Sequence, residues 1–317
     1  MRPRVVFMGT PEFSVPALRA VAGDCDVLAV VTQPDRPRGR GRAIAASAVA
    51  EAAAALGLPT LKPERVNAPE SVAGLAALEP DLFAVVAYGA ILKPELLALP
   101  RLGSINLHGS LLPDYRGASP VQRALWDGRA TTGVTTIWMD EGIDTGDMIL
   151  RRELRIEPTD DAATLAARLA AVGGPLLAES LVLAHAGRAP RQPQDRAAGC
   201  YAPKLTKQDG RIDWSQDAEV VWHRQRAVTP WPGATTQFRH RGVQVTRAEP
   251  VRTHEAGSPP GTILGAGVQG VDVACSPGAL RLLKLRPEGR AEMAASDWAR
   301  GVRPEARERF GTMGASA

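Results

Sequence analysis

Cysteine is scarce in this chain. Only three cysteines occur among 317 residues, and Cys25, Cys200 and Cys275 are far apart. An odd and dispersed set excludes a disulfide framework and a cysteine-based zinc site, because both need paired or closely spaced thiols. No other metal-ligand spacing is present, so we expect reduced thiols and no metal.

Long apolar runs are also missing. No stretch of the sequence approaches the roughly 20 consecutive apolar residues of a membrane-spanning helix. The segment Met1–Arg4 leads directly into the strand-like Val5–Gly9, without the apolar core and cleavage site of a signal peptide. We therefore expect a cytoplasmic protein without membrane contact, and no obligate protein partner is expected.

A third absence concerns dinucleotide binding. A predicted first strand, residues 4–9, is followed by a turn and a helix, which is where a Rossmann-type sheet carries G-x-G-x-x-G. The turn instead reads Gly9-Thr-Pro-Glu-Phe-Ser14, and no acidic ribose-binding residue follows in the proper context. We therefore expect no bound NAD.

Positive charge is unevenly distributed along the chain. Residues 1–185 carry 18 Lys and Arg against 21 Asp and Glu, whereas residues 186–317 carry 20 against 13, which recovers the totals of 38 and 34. A basic second half indicates an anionic partner such as nucleic acid. A solvated basic surface without a ligand would explain the same charges and stays an open alternative.

Strand-like and helix-like segments alternate in the first half. The apolar runs predict strands over residues 4–9, 26–33, 81–87, 104–108 and 132–139. This alternation predicts an α/β protein with a Rossmann-like, mainly parallel, doubly wound sheet. Short strands broken by Gly and Pro after residue 234 predict a small OB-like β-barrel domain to follow it.

The domain boundaries follow from a change in composition. Residues 1–186 are predicted to form the first domain, with a basic insertion loop at residues 33–49. Residues 187–210 are rich in Pro, Gly, Gln and charge without periodicity, which is typical of a linker. Residues 211–317 are predicted to form the basic OB-like domain.

The most informative stretch of the chain is residues 103–120. Asn106 and His108 stand two apart near the end of a predicted strand, so their side chains share one face. A loop from Ser110 to Gly117 follows, and its proline and glycine prevent the strand from continuing. Ligands of α/β sheets bind at such strand ends. The alternative of two hydrogen-bonded core residues stays open on this pattern alone.

A second polar loop, residues 139–148, follows another apolar strand and contains Asp144. An amide, an imidazole and a carboxylate at strand ends can supply a donor for an oxyanion, a proton-handling group and a group that orients it. We therefore predict acyl-transfer chemistry with Asn106, His108 and Asp144 as the catalytic residues.

These motifs resemble those of the 10-formyltetrahydrofolate-dependent formyltransferases. The likeness rests on Asn106-x-His108, on Ser110-Leu-Leu-Pro-x-Tyr-Arg-Gly117 and on Asp140-x-Gly-x-Asp144-Thr-Gly. The resemblance implies 10-formyltetrahydrofolate as the formyl-donor cosubstrate. It also implies folate contacts at Tyr88, Gly89, Ser110, Leu111, Leu112, Pro113 and Asp140.

A basic loop indicates which members of this family the chain resembles most. Residues 33–42 read Gln-Pro-Asp-Arg-Pro-Arg-Gly-Arg-Gly-Arg, similar to a loop with which some family members reach into the tRNA acceptor stem. Those members formylate the α-amino group of methionine on initiator methionyl-tRNA, for translation initiation. The resemblance implies tRNA contacts at Arg36, Arg38, Arg40 and Arg42. Residues 43–49 lack a basic residue and two prolines of the family pattern, which favours a weaker grip on RNA.

Two other interpretations remain on the sequence alone. A related formyltransferase acting on a small amine, an amino sugar nucleotide or glycinamide ribonucleotide, would share the Asn-His-Asp set but would not need the basic loop and basic second half. A non-catalytic RNA-binding protein would explain the charge but not three polar residues at strand ends. Binding of initiator tRNA tests the first alternative, and binding of folate tests the second.

Overall fold

A computed structural model of the chain describes residues 2–38, 43–195, 197–251, 257–305 and 307–311. The chain divides into two units. The first comprises Met1–Pro120, Thr131–Arg155 and Ala166–Ala202, and the second comprises Val121–Ala130, Ile156–Leu165 and Pro203–Ala317. Two short segments from the middle of the sequence therefore belong to the second unit.

The strands in chain order are β1 (Arg4–Gly9), β2 (Asp26–Val31), β3 (Arg36–Arg38), β4 (Ala43–Ala45), β5 (Thr60–Leu61), β6 (Leu82–Val86), β7 (Gly103–His108), β8 (Arg116–Gly117), β9 (Thr131–Trp138), β10 (Met148–Arg155), β11 (Tyr201–Ala202), β12 (Ala234–Phe238), β13 (Arg241–Val251), β14 (Ile263–Gly267), β15 (Gly270–Ala274), β16 (Ala279–Pro287) and β17 (Met293–Ala294). The α-helices are α1 (Val15–Asp24), α2 (Ala48–Ala55), α3 (Pro69–Ala76), α4 (Pro94–Leu97), α5 (Pro120–Trp126), α6 (Ala162–His185), α7 (Ala218–Ala227) and α8 (Ala295–Val302). Short 3₁₀ turns lie at Glu12–Ser14 and Lys207–Gly210.

The first unit is built on one twisted sheet. Among the described residues this sheet has the order β10-β9-β7-β6-β1-β2-β5. Strands β7, β6, β1, β2 and β5 run parallel to one another, whereas β9 is antiparallel to both β7 and β10. The predicted Rossmann-like, mainly parallel sheet is confirmed.

Burial explains why the central strands form the middle of this sheet. Strand β6 is buried at every position, and β1 is buried from Val5 to its end. Parallel strands covered on both faces are expected to read as continuous apolar runs. Because β1, β6 and β7 run in the same direction, their carboxyl ends meet at one edge, and the polar residues of β7 are presented there.

The basic segment after β2 differs from its prediction as an irregular loop. Strands β3 and β4 pair antiparallel, with Arg36 opposite Ala45, and α2 begins only at Ala48, capped by the Ser47 side chain. Backbone pairing formed here because antiparallel strands need no apolar side chains to exchange main-chain hydrogen bonds. Arg36 is exposed. The predicted contacts Arg40 and Arg42, and the side chain of Arg38, lie outside the described residues.

Helix α6 is long and strongly apolar. Its length and composition alone are sufficient to cross a membrane, but more than half of its most apolar window is buried within the protein. Leu165, Leu169, Leu177 and Leu181 are fully buried. A mostly buried apolar helix is the normal form of a core helix in a folded domain.

The second unit is a β domain with flanking helices. In the described residues its sheet has the order β12-β13-β16-β15-β14, all antiparallel, with β17 paired to β16. The core contains four aromatic side chains, Trp214, Phe238, Trp298 and Phe310. The last three contact one another and Trp214 contacts Phe310, with ring centroids 5.1 to 5.9 Å apart. This is the small β-barrel-type domain predicted from the short strands.

Candidate active site

Strand β7 carries two of the predicted catalytic side chains. It is flanked by β6 on one side and β9 on the other, and Asn106 lies opposite Ile137 while His108 lies opposite Thr135. Asn106 is half-buried, and His108 is buried, with 6% of its surface exposed. Their two-residue spacing places both side chains on one face of the strand, as predicted.

The loop after β7 is held by its own hydrogen bonds. The Ser110 hydroxyl donates to the carbonyl of Asp114 at 2.5 Å. The Thr135 hydroxyl donates to the Ser110 carbonyl at 2.7 Å and accepts from the Leu112 amide at 3.1 Å. A loop bonded in this way to the neighbouring strand β9 presents its backbone carbonyls in fixed positions.

The His108 ring takes its orientation from this loop. Its Nε2 atom lies 2.8 Å from the Tyr115 carbonyl oxygen. Because a carbonyl oxygen can only accept, Nε2 carries a hydrogen and donates to it. The other ring nitrogen, Nδ1, lies 3.5 Å from the Asp144 carboxylate. The imidazole is therefore held between a neutral acceptor and a negative charge.

Asp144, in the loop after β9, contacts both the loop after β7 and the His108 ring. Its carboxylate accepts a hydrogen bond from the Gly117 amide at 2.9 Å and lies 3.4 Å from Nδ2 of Asn106. The Asp144 backbone is left-handed, with φ of 56°, a conformation that Asp adopts more readily than most residues. The amide, imidazole and carboxylate predicted from the sequence thus lie close together near the carboxyl end of β7.

The Asp140 carboxylate, unlike that of Asp144, forms its hydrogen bonds within its own loop. It accepts from the Thr145 hydroxyl at 2.7 Å and from the Gly142 amide at 3.0 Å. These bonds close the turn between Asp140 and Thr145. The contact of Asp140 with folate stays a prediction, and what the carboxylate does in this structure is to shape the loop that carries Asp144.

The other predicted folate contacts are distributed around the two loops. Ser110 and Leu112 are buried, Leu111 and Pro113 are half-buried, and Gly89 is exposed beyond the end of β6. Leu112 packs against Ile137 and Met148. The contact of each with folate stays a prediction.

Tyr88 lies with its ring in the core. It is 2% exposed and packs in an apolar cluster that includes Phe83, Leu92 and Leu96. Its hydroxyl is buried without a hydrogen-bond partner among the described residues, and burial raises the pKa of that hydroxyl to about 12. The Tyr88 backbone carbonyl accepts from the Thr10 hydroxyl at 2.8 Å.

Tyr88→Phe tests what this residue contributes. Removing a buried hydroxyl that has no hydrogen-bond partner in the described part of the chain should raise the free energy of unfolding by about 1 kcal/mol. The KM for the folate donor should stay unchanged if the contact comes from the backbone. Urea unfolding and donor titration measure the two quantities. A raised KM with unaltered stability would instead assign the hydroxyl to the ligand.

Sequence reasoning missed Gln194 and the contact that Arg116, quoted only as part of the Ser110–Gly117 motif, makes with it. Gln194 lies in the predicted linker, yet its amide nitrogen donates to the carbonyls of Asp144 and Gly146, both at 2.8 Å. Arg116 donates to the Gln194 oxygen at 3.1 Å. No periodicity or charge pattern marks Gln194, because its importance comes only from a contact made across fifty sequence positions.

Two family models match the chain. The formyl transferase model matches residues 4–181, and the model of the formyl transferase C-terminal domain matches residues 204–303. The chain is 44% identical over 308 residues to a methionyl-tRNA formyltransferase of Geobacter metallireducens, covering 97% of this chain and 98% of that protein. A methionyl-tRNA formyltransferase of Solibacter usitatus is 45% identical over 310 residues, covering 97% and 98%. The chain belongs to the methionyl-tRNA formyltransferase family.

Solved structures with lower identity share the fold of this family member. An N-formyltransferase of Helicobacter canadensis, crystallised with folinic acid and dTDP-3-aminofucose, gives a TM-score of 0.65 at 16% identity and covers 89% of this chain and 99% of its own. HypX of Aquifex aeolicus, in complex with tetrahydrofolic acid, gives 0.61 at 18% identity, covering 97% of this chain and 49% of HypX. At such identity the likeness concerns the fold alone.

Proposed function

We propose that this protein transfers the formyl group of 10-formyltetrahydrofolate to the α-amino group of methionine on initiator methionyl-tRNA. The observation that carries the proposal is that the side chains of Asn106, His108 and Asp144 lie close together near the carboxyl end of β7. Membership of the methionyl-tRNA formyltransferase family, by identity over nearly the full chain, supports the choice of substrate.

The reaction sets three requirements for these side chains. A bond forms between the formyl carbon and the α-amino nitrogen, the bond from that carbon to the folate nitrogen breaks, and one proton passes from the amine to the folate. The amine must be unprotonated, and a free α-amino group titrates at about 7.7. Charge that develops on the formyl oxygen needs a hydrogen-bond donor.

Asn106 is the neutral donor for that oxygen. Its Nδ2 atom has two hydrogens, and one of them faces the Asp144 carboxylate at 3.4 Å. We assign the second hydrogen to the formyl oxygen. Holding the amide by one hydrogen while the other faces the substrate is the preorganisation that oxyanion stabilisation requires.

His108 and Asp144 form the proton-handling pair. The ring of His108 is oriented by the Tyr115 carbonyl, and the carboxylate of Asp144 is held by the Gly117 amide. A proton leaving the amine passes to this pair directly or through one water, since a bridging water extends the reach of a general base. The buried position of His108 limits exchange of that proton with bulk solvent.

The residues near the strand ends fit a flat, partly apolar cosubstrate. Leu111 and Pro113 are half-buried, and Gly89 has a positive φ of 91°; an ideal Cβ there would meet only Cγ of Gln33, at 3.9 Å, among the described residues. Open space beside an exposed glycine backbone allows a ring to approach main-chain donors and acceptors. This chemistry supports folate contacts at the predicted positions.

The basic segment supplies the proposed grip on tRNA. Arg36 is exposed at the start of β3, and Arg38, Arg40 and Arg42 follow it in sequence. Guanidinium groups in an exposed segment suit phosphate and base edges. The excess of Lys and Arg after residue 186 adds to the attraction for an anionic partner.

Replacing Arg40 and Arg42 together by alanine should weaken binding of initiator methionyl-tRNA and flatten its salt dependence. Each lost phosphate contact reduces the slope of log K against log salt by roughly 1, so a change of about 1 to 2 is expected. The measurement is the apparent KM for charged tRNA from low to high salt. Arg19→Ala with Arg188→Ala, two exposed arginines on the first unit, is the matched control; an unchanged slope in the Arg40/Arg42 variant would remove this segment from the interface.

Two further parts of the proposal follow from the sequence. We place the reaction in the cytoplasm, where initiator tRNA is charged and used. We also assign the catalytic domain to residues 1–186 and the tRNA-binding domain to residues 211–317, with residues 187–210 between them. The family models, which match residues 4–181 and 204–303, support this assignment.

A small-amine substrate is the competing function. The Helicobacter canadensis N-formyltransferase, solved with an amino sugar nucleotide, shares the fold. An assay of purified protein with 10-formyltetrahydrofolate separates the two, because initiator methionyl-tRNA should be formylated and an amino sugar nucleotide or glycinamide ribonucleotide should not. Formylation of a small amine without formylation of the tRNA would overturn the proposal.

A further inference from the structure

The last segment of the first unit contacts both loops of the candidate site. We call residues 190–195 and 197–202 the strap. Its Gln192 exchanges backbone hydrogen bonds with Met148 at 2.8 and 3.0 Å, and the Trp138 side chain donates to the Pro190 carbonyl at 3.1 Å. Further along, β11 of the strap pairs with β8. The strap therefore joins the loop after β7 to the loop that carries Asp144.

Gln194 is the strap side chain that faces the site. It is 8% exposed. Its Nε2 donates both hydrogens, one to the Asp144 carbonyl and one to the Gly146 carbonyl, each at 2.8 Å. Its Oε1 accepts from Nε of Arg116 at 3.1 Å. Because both hydrogens and the oxygen of this buried amide are hydrogen-bonded, the orientation of the Gln194 side chain is fixed.

The hydrogen bonds of Gln194, Asp144 and the Arg116–Gly117 pair form a closed network around the Asp144 carboxylate. Gln194 holds the Asp144 backbone, and the Asp144 carboxylate accepts from the Gly117 amide. Arg116, which precedes Gly117, returns to Gln194. Because Asp144 has a left-handed backbone, its side-chain direction depends on how that backbone is held, and the two carbonyl contacts of Gln194 hold it.

The strap does not need these contacts for its own attachment. Its backbone is bonded to Met148, and Arg116 donates to the carbonyls of Asp195 at 3.0 Å and Ala198 at 3.4 Å. The Arg116 amide also donates to the Cys200 carbonyl at 3.0 Å. Removing the Gln194 amide therefore leaves the strap attached, while it releases the Asp144 and Gly146 carbonyls and the Nε hydrogen bond of Arg116.

We propose that Gln194 is a positioning residue for the formyl transfer: it sets the orientation of the Asp144 carboxylate toward Asn106 and His108 by holding the carbonyls of Asp144 and Gly146. The inference rests on the proposed function and deepens it. Gln194 acts through Asp144 and does not touch the reacting atoms, so its loss should reduce the rate of the chemical step more than the binding of either substrate.

The first test is Gln194→Leu, which keeps the approximate volume and removes the hydrogen bonds. We expect kcat to fall about 10- to 100-fold, as misplacement of a catalytic group by about 1 Å can do. The KM values for 10-formyltetrahydrofolate and methionyl-tRNA should change by less than about twofold. Gln192→Leu is the matched control, because the Gln192 side chain is exposed and only its backbone joins the strap.

The second test is a double-mutant cycle with Asp144→Asn. If Gln194 acts through Asp144, adding Gln194→Leu to Asp144→Asn should lower the single-turnover rate by less than about twofold. An equal fold-loss in both backgrounds, a near-normal kcat for folded Gln194→Leu, or a loss confined to KM would each overturn the inference. If Gln194→Leu does not fold by circular dichroism, Gln194→Asn carries the same test, since its shorter amide cannot reach both carbonyls.

Failure of the proposed function is separable from failure of this inference. A wild-type protein that does not formylate methionyl-tRNA but formylates an amino sugar nucleotide rejects the proposed substrate, and the same variants are then compared on the small amine. A wild-type protein inactive with both amines overturns the proposed function and the inference together. An active wild type with an equally active Gln194→Leu rejects the inference alone.

Discussion

His108→Ala is expected to lower the single-turnover rate of formyl transfer about 100- to 1000-fold, the usual loss when one preorganised group at a developing charge is removed. The imidazole is held by the Tyr115 carbonyl at 2.8 Å and faces Asp144 at 3.5 Å. Alanine removes the proton-handling group, leaves the Asp144 carboxylate without its imidazole partner and opens a space at a buried position.

The measurement for His108→Ala is a single-turnover assay with saturating substrates. Circular dichroism and thermal unfolding establish that the variant is folded. His185→Ala is the matched control, because His185 ends α6 near Asp81 and has no part in the proposed reaction. A rate within about threefold of wild type, well inside the loss expected for one catalytic group, would reject the assignment of His108.

Asp144→Asn is expected to lower the rate about 100-fold or more while the fold is kept. The carboxylate accepts from the Gly117 amide and faces the Asn106 amide and the His108 ring. Asparagine has only one acceptor oxygen, so if that oxygen keeps the Gly117 bond, its NH₂ group is turned toward another donor. The substitution also removes the negative charge beside the imidazole.

Asp147→Asn is the matched control for Asp144→Asn. Asp147 lies three residues further on, is 35% exposed at its side chain and contacts Arg191 at 3.9 Å. A partly exposed ion pair at this distance contributes little, so near-normal rates are expected. Equal losses in the two variants would show that the loop, and not the Asp144 carboxylate, is what the reaction requires.

Much of the fold was predictable because its signals are local. Continuous apolar runs predicted β1, β6 and the strand leading to His108, and burial of these strands confirms that interpretation. The pairing of β3 with β4 was not predicted, because main-chain pairing leaves little trace in the side-chain pattern.

Some features of the candidate site could be predicted from the sequence, and others could not. The common face of Asn106 and His108 follows from the two-residue period of a strand, so it could be inferred from spacing alone. The orientation of the His108 ring could not, since it depends on the Tyr115 carbonyl at the end of a folded loop. The left-handed backbone of Asp144 and its bond to Gly117 also arise only when the two loops pack together.

The amino-acid sequence by itself determined which residue types are available, which segments are buried strands, and that an amide and an imidazole share one strand face. These properties depend on neighbours a few positions apart, where covalent geometry restricts the chain. Only the tertiary structure decided that Gln194 reaches Asp144 and that Arg116 reaches Gln194. Contacts between distant segments form when packing brings the loops together, and no local pattern specifies which side chain will then complete the hydrogen bonds of a buried backbone.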